Sequence, residues 1–463
     1  MASYLGYAVH HSASITISDQ LSKKDFFMLR KILFTAFVLH HTAACANFLT
    51  GLQAYEKKDY AAAQYEFSAL LPLANEQAAF NLAAMAVNGE GQAVDNVKAL
   101  AYFELAATLG HENALTQVNK LKPKLTAEES AAATTLLAKL TQSVVIQESS
   151  PESNHPELEV LKRVAPEYPA DAARKGQFGY VTIRYVVDEQ GAVIAVDTLD
   201  SFPENVFERA AMKAVKRWTY QPTGKKQIGS VKLTFSIGPL QQKAMEKWLE
   251  KHQVWAYAAA GSPQHQEALG SILHLIDNNA GVDLAKDEQA PFTAASLPKS
   301  LFAKYRHFRS RPIEHFSGYA KVVVNDEGVV TEILAAKNQK THSAEALLLN
   351  KPLSNVKEAG VYSLITQHDK KVWINKVVAI NPLYQYEYWW KTAAKNGDLR
   401  AQRFLAATDK QWEDYLLSKD DPQVQTWVGA RMLLDGDTAN GQALLAKARQ
   451  QNYPLALELS DTL

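Results

Sequence analysis

The sequence predicts a multidomain α+β protein: near the middle a three-stranded antiparallel sheet with one helix, flanked on both sides by α-helical hairpin repeats of the α-solenoid type. Three observations predict it. Apolar residues recur at helical spacing through residues 47–145 and again through 382–463. Between Ala165 and Ile237 the pattern turns to strict alternation, then to helical period, then to alternation again. A shorter alternating hairpin returns within 311–381.

The chain has 463 residues, 47% hydrophobic and 21% charged, which suits about three domains at ~150 residues each. Lys plus Arg equals Asp plus Glu at 49 each, so bulk charge favours neither nucleic acid nor an anionic membrane. A partner has to be recognised locally.

From Met28 the sequence has the grammar of a secretory signal. Arg30 and Lys31 give a basic start, Ile32 to Leu39 an apolar centre, and Ala44-Cys45-Ala46 a small-residue cleavage site. The apolar stretch is shorter than the ~20 residues a membrane span needs, and His40 and His41 interrupt it. The expectation is export with cleavage after Ala46 and Met28 as the start, leaving no transmembrane span. Thr42-Ala43-Ala44-Cys45 also loosely matches a lipoprotein site, with a lipid anchor at Cys45 as the alternative. Cys45 is the only cysteine, so neither an intramolecular disulfide nor a Cys-based metal site can form.

The helical regions follow one pattern. Ala79, Leu82, Ala83 and Ala86 lie on one helical face, and Gly89 and Gly91 end that helix. Ala99, Tyr102, Phe103, Ala106 and Ala107 repeat the spacing before Gly110. Together with Val94, Asp95, Lys98 and Ala114, this resembles the Sel-one-like repeat. Gly51, Tyr55, Tyr60, Ala63 and Phe67 resemble a tetratricopeptide hairpin. Trp390, Ala393, Ala394, Gly397 and Ala401, then Gly436, Ala443, Ala446 and Ala456, resemble the same repeat near the other end. Short arrays cannot bury their own apolar faces, so both groups are expected to pack on what lies between them. Gly89-Glu90-Gly91 is no phosphate loop: no strand precedes it and no P-loop Lys follows.

In the central segment Val181, Ile183, Tyr185 and Val187 alternate with Thr182, Arg184 and Asp188, the period of a half-buried strand. Asp188 to Gly191 supplies a turn, and Val193 to Leu199 a returning strand. Phe207, Ala210, Ala211, Ala214, Val215 and Trp218 form one helical stripe, with Lys213, Lys216 and Arg217 suiting its C-terminal dipole and Pro222 beyond it. Val231, Leu233, Phe235 and Ile237 then alternate with Lys232, Thr234 and Ser236.

Pro166, Tyr168, Pro169, Ala172, Gly179, Val181, Val187, Asp188, Gly191, Val193, Phe207, Ala210, Trp218, Pro222 and Phe235, at their spacings, resemble the TonB C-terminal domain. The resemblance implies a periplasmic domain that engages the TonB box of outer-membrane transporters by adding a strand to a sheet edge. The candidate peptide-binding edge is the last strand, with Ile228, Ser230, Lys232, Thr234 and Ser236 on one face, and a neighbouring repeat or the second hairpin is expected to cover it; Pro166, Tyr168, Pro169, Gly179, Gly191, Phe207, Trp218 and Pro222 are expected to be mainly structural. Ala165 stands where the family usually has Gln, and the 17 prolines are scattered rather than gathered into a long spacer.

Residues from Gln241 to about His307 read as helical, with Trp248, Trp255, Leu269, Ile272 and Leu275 on apolar faces. From Gly318, "GYAKVVVNDEGVVTEI" echoes the hairpin that starts at Gly179, with Ser343 to Leu349 and Val372 to Ile380 as a following helix and last strand. Two readings stand here: a degenerate second TonB-like unit, or an unrelated hairpin.

No catalytic constellation appears. The 13 His are scattered, His315 and His368 flank the second sheet as isolated structural groups, and neither H-E-x-x-H nor G-x-S-x-G occurs. The expected organisation is an extension and signal over 1–46, helical repeats over 47–145, a linker over 146–155, the TonB-like domain over 156–240, a helical region over 241–310, a second β unit over 311–381 and helical repeats over 382–463. The expected function is a periplasmic interaction scaffold, not an enzyme, without cofactor or metal and with other envelope proteins as partners. The alternative is an accessory to TonB-dependent transport that contacts the TonB boxes of receptors.

Overall fold

The structure, a computed structural model, describes residues 46–147, 158–237, 242–277, 305–310, 313, 315–338, 342–354, 356–366, 372–377, 383 and 385–459. The expected signal, Cys45 and most of the linker lie outside these residues. Described residues up to Ile272 and from Trp389 onward form one compact unit, and those from Leu273 to Tyr388 form a second.

The first unit opens with helices α1 (Phe48–Glu56), α2 (Tyr60–Leu70), α3 (Glu76–Asn88), α4 (Asn96–Thr108), α5 (Ala114–Leu121) and α6 (Ala127–Ser143). Asn47, Asp59, Asn75, Asp95 and Thr126 each accept a first-turn N–H, which satisfies donors a helix start would otherwise leave open. Alanines at positions such as 79, 83, 86, 99 and 106 are buried and let these helices approach closely. Gly89 ends α3 in the left-handed region at φ 71°, where a side chain would be strained.

The central segment contains β1 (Val160–Lys162), α7 (Ala170–Arg174), β2 (Gly179–Val187), β3 (Val193–Phe202), α8 (Glu208–Val215), β4 (Thr219–Tyr220) and β5 (Gln227–Phe235). Strands β3, β2 and β5 form the expected three-stranded antiparallel sheet in that order, and β1 pairs with β4. Helix α8 is shorter than the apolar stripe: it ends at Val215, and Trp218 follows in a turn where its N–H donates to the Val215 carbonyl at 2.9 Å. Val181, Ile183, Tyr185, Phe207, Ala211, Val215, Trp218 and Phe235 form the core beneath it.

Next come α9 (Gln242–Lys251), α10 (Val254–Ala259) and α11 (Pro263–Asp277). The helical reading overruns beyond them, because Tyr305–Ser310 is strand β6, paired along its length with a later strand. Backbone pairing across the sheet outweighs the local pattern there.

The second unit adds β7 (Gly318–Val324), β8 (Val330–Asn338), α12 (Ala344–Leu348), β9 (Gly360–Thr366) and β10 (Val372–Val377), in an antiparallel sheet of order β6-β10-β9-β7-β8. Its β8-β7-β9 portion has the order of β3-β2-β5, with a helix likewise between second and third strands. The two hairpin turns also correspond. Asp188 Oδ1 accepts from the N–H groups of Gln190 and Ala192, and Asn325 Oδ1 from those of Glu327 and Val329. A Cβ on Gly191 would lie 2.0 Å from the Tyr220 carbonyl oxygen, and one on Gly328 2.1 Å from that of Val356. The expected last strand is corrected: Val372 does begin a strand, but β9 is the one that pairs with β7. The sequence reading passed over β9. Phe316, Val322, Leu348, Tyr362, Leu364 and Ile374 are among its core.

The chain returns to the first unit in α13 (Tyr386–Lys395), followed by α14 (Leu399–Ala406), α15 (Lys410–Ser418), α16 (Pro422–Leu434), α17 (Thr438–Gln450) and α18 (Pro454–Leu459). Helices α11 and α13 lie against each other, with Gly270 so near the Trp390 ring that an added Cβ would meet Cδ1 at 2.6 Å. The second unit is therefore an insertion between two packed helices. The two helical groups do more than pack on the intervening domain: they share one hydrophobic core, in which Phe67, Leu70 and Leu82 join Ala393, Ala401, Trp412 and Leu416. The Phe48 N–H donates to the Asn396 carbonyl at 3.1 Å, and Asn75 Nδ2 to Asn396 Oδ1 at 2.7 Å.

Candidate functional site

Alternation fixes the two faces of the central sheet. Val181, Ile183, Tyr185 and Val187 point to α8, and Tyr180, Thr182, Arg184 and Val186 point the other way. The second face was expected to meet solvent on one half-buried sheet. Instead Tyr180, Thr182 and Val186 are buried, because helices from distant parts of the chain cover them. Tyr180 donates to Asp200 and lies 3.0 Å from Ser271 Oγ of α11. Arg400 of α14 reaches Asp200, Glu267 and Glu204, and donates to the Ser201 carbonyl. Val186 and Ala195 pack with Trp427 of α16 and Leu455 of α18. Burial, then the nearby Asp200 carboxylate, pushes the Tyr180 phenol well up.

The expected structural residues hold this sheet together. The Tyr168 ring meets Phe207 edge-on at 5.5 Å, and its hydroxyl donates to the Gln177 carbonyl. Phe207 stacks on Phe235 at 4.5 Å. Trp218 Nε1 donates to the Val164 carbonyl at 2.8 Å, and the Arg163 guanidinium lies over its ring. Pro169 stands before α7, Pro166 is half-buried and Pro222 is exposed. A Cβ on Gly179 would lie 1.7 Å from the Phe202 carbonyl oxygen, so only glycine fits between β2 and the end of β3.

Strand β5 has β2 on one side and no paired strand on the other among the described residues. Its unpaired side offers backbone donors and acceptors. The five candidate residues share the face opposite α8 but have unlike surroundings. Ser230 and Thr234 are exposed, Ser236 is half-buried just past the strand, and the Lys232 ammonium lies 4.4 Å from the centre of the Tyr180 ring. Ile228 packs beside Val186, Ala195 and Trp427. That face is thus partly covered, while the edge itself has no strand on it.

The sequence reading missed Arg184, Arg403, Trp427 and Arg431, which gather where β5 starts. The alternation in β2 placed Arg184 away from α8, but nothing local indicated that α14 and α16 would come to it. Among the described residues no group of three or more His, Cys, Asp or Glu suits a metal ion, and no helix is long and apolar enough to cross a membrane. His315 stacks on His342 with ring centres 4.8 Å apart, and His368 lies outside the described residues.

Residues 164–239 match the family model for the Gram-negative bacterial TonB protein C-terminal region. Protein TonB of Yersinia enterocolitica is 33% identical over 78 residues, covering 17% of this chain and 30% of that protein. Protein TonB of Escherichia coli strain K12 is 39% identical over 71 residues, covering 15% and 29%. Protein tonB2 of Pseudomonas aeruginosa is 40% identical over 62 residues, covering 13% and 23%. This chain spans 30% or less of the length of these curated relatives. Among solved structures, the tonb2 protein from Vibrio anguillarum is similar at 33% identity and TM-score 0.16, with 20% of this chain and 93% of that one covered. The solution NMR structure of the Pseudomonas aeruginosa TonB CTD is similar at 24% identity and TM-score 0.17, with 19% and 94% covered. The similarity to the TonB C-terminal region thus falls on residues 164–239, which contain the three-stranded sheet and α8.

Proposed function

We propose that this protein is an exported interaction scaffold of the bacterial envelope whose TonB-like sheet takes an extended segment of a partner protein at the edge of β5. One observation carries the reading: both faces of the sheet are packed, by α8 on one side and by α11, α14 and α16 on the other, while β5 has no strand on its outer side among the described residues. Strand addition uses backbone hydrogen bonds for affinity and alternate side chains for specificity, so it needs an edge and not a face. Segments of TonB-dependent receptors are the natural partners by homology, which would make the protein an accessory in envelope transport. The helices, in the manner of Sel-one-like and tetratricopeptide repeats, would hold a second protein.

The test is to titrate labelled TonB-box peptides into the full chain, with Leu233→Pro and Thr234→Pro as paired variants. Successive residues of a strand turn their N–H groups to opposite sides, so one proline breaks the β2 ladder and the other blanks the outer edge. Saturable binding that disappears in the variant that stays folded supports strand addition. Absence of binding by the folded chain, with partners captured on the helices instead, would leave only the scaffold.

A further inference from the structure

A cleft of about 380 Å³ opens between the start of β5 and helices α14 and α16. Its lining is rich in cations: Arg184, Lys225, Lys226, Arg403 and Arg431 face only Glu413 and Asp435 among the acidic lining residues. Arg403 and Arg431 are held by carboxylates. Arg403 donates to Asp421 from Nε at 2.9 Å and from Nη2 at 2.7 Å, and Arg431 Nη2 lies 2.8 Å from Glu413 Oε1. Arg184 is different. Its guanidinium stacks over the Trp427 ring at 5.1 Å but has no hydrogen-bonded acceptor among the described residues.

The obvious partner for Arg184 is engaged elsewhere. Asp197 sits opposite Arg184 on β3, yet its Oδ2 accepts from Gln423 Nε2 at 3.0 Å, Trp427 Nε1 at 2.9 Å and the Tyr453 hydroxyl at 2.7 Å. Its field still favours the charged arginine, while burial brings the Arg184 pKa down to about 10. A guanidinium has five N–H donors in a fixed fork that matches a carboxylate, and leaving those of a half-buried one without an acceptor costs stability. Arg184 also stands opposite Ser230, and Gln227 and Ile228 line the same cleft, so the cavity continues the edge of β5.

We propose that this cleft is a carboxylate-binding site that receives an acidic side chain of the segment laid along β5, with Arg184 as the inner donor and Lys225 and Lys226 at its mouth. This rests on the strand-addition reading and adds to it a chemical class: an extended peptide with an acidic residue at the end that meets the start of β5. The helices that cover the sheet would then take part in recognition, since Trp427 orients Arg184.

The experiment uses the full chain and matched pairs of labelled ten-residue TonB-box peptides, differing only by Glu or Gln at one end, with inorganic phosphate as a separate probe. The Glu peptides should bind at least tenfold more tightly than the Gln peptides in low salt. That preference should vanish in Arg184→Gln and shrink in Lys225→Glu, an exposed change that leaves the fold intact. Equal binding of Glu and Gln peptides would overturn the carboxylate site while leaving strand addition standing. Failure of every peptide to bind would overturn both. A response to phosphate alone that depends on Arg184, without any Glu preference, would make this a small-anion site and overturn the peptide assignment.

Discussion

Arg400 Nη2 lies 3.1 Å from Asp200 Oδ1, joining the last helical group to the central sheet across 200 positions of sequence. The same guanidinium faces Glu267 at 3.4 Å and Glu204 at 3.0 Å, and Asp200 and Glu267 are both buried. Burial raises the Glu267 pKa to about 8 against the opposing pull of Arg400. At pH 7 the charge that Arg400 compensates is thus the buried Asp200 carboxylate, with Glu267 held mostly as the neutral acid beside it.

Arg400→Met should therefore destabilise the first unit by about 3–5 kcal/mol, the usual cost of stranding a buried charge. Urea unfolding at pH 7 would measure it. A loss below about 1 kcal/mol would mean that the carboxylates protonate or rehydrate without disturbing the sheet.

Trp218→Ala should cost about 3–5 kcal/mol as a large-to-small core change. The ring is 4% exposed and packs in the core under α8, so an empty space would remain between β4 and the Arg163–Val164 segment. Trp218→Phe keeps most of the volume but leaves the Val164 carbonyl without its donor, and should cost roughly 1–3 kcal/mol. Similar losses for both variants would assign the stability to the hydrogen bond instead of the packing.

These two residues show what was legible in the sequence. Trp218 belongs to a segment whose turns, glycines and alternation are local, so the three-stranded antiparallel sheet and the place of Gly179, Gly191 and Phe207 could be read directly, while the order β3-β2-β5 came from the structure. Arg400 could not be read so, because its meaning lies in Asp200 and Glu267, which only the folded chain brings to it. For the same reason Thr182, Arg184 and Lys232 read only as the polar positions of half-buried strands. Their covering helices come from remote segments, and a polar residue on a strand looks the same whether water or a distant partner satisfies it. In the second sheet, β9 was passed over because its place beside β7 depends on pairing and not on a pattern of its own.

His111 should titrate near pH 4. It is 6% exposed, its ring stacks on Phe80 at 4.0 Å, and Nδ1 accepts the Asn113 N–H while Nε2 finds no partner among the described residues. Burial pulls its pKa down from 6.5 to about 4. Between those values the unfolded chain binds the proton and the folded chain does not, so stability rises with pH across this window. The contribution is complete above about pH 6.5 and is lost as pH falls to about 4, amounting to roughly 3 kcal/mol. An NMR titration of the His111 ring protons would give the midpoint, and His111→Phe should flatten the stability profile over that range. A midpoint at 6 or above would mean that the ring is hydrated in solution.

Gly397 tests whether the two helical groups behave as one body. It has φ 99°, and a Cβ there would lie 1.7 Å from the Ala46 carbonyl oxygen, at the start of the first helical group. Gly436 is the matched control, with φ 91° and, among the described residues, nothing within 4 Å of its added Cβ. Gly436→Ala should cost only the left-handed backbone strain of about 1–2 kcal/mol. Gly397→Ala carries that strain and must also push the segment around Ala46 and Asn47 away, disturbing the Phe48 to Asn396 and Asn75 to Asn396 hydrogen bonds. Its cost should exceed the control by about 2 kcal/mol or more, in line with overpacking in a close-packed interior. Urea unfolding of both variants in the uncleaved chain, which keeps Ala46, with limited proteolysis reporting release of the first helices, would decide it. Equal losses would show that the segment before α1 moves aside freely and that the shared core, not this contact, holds the groups together.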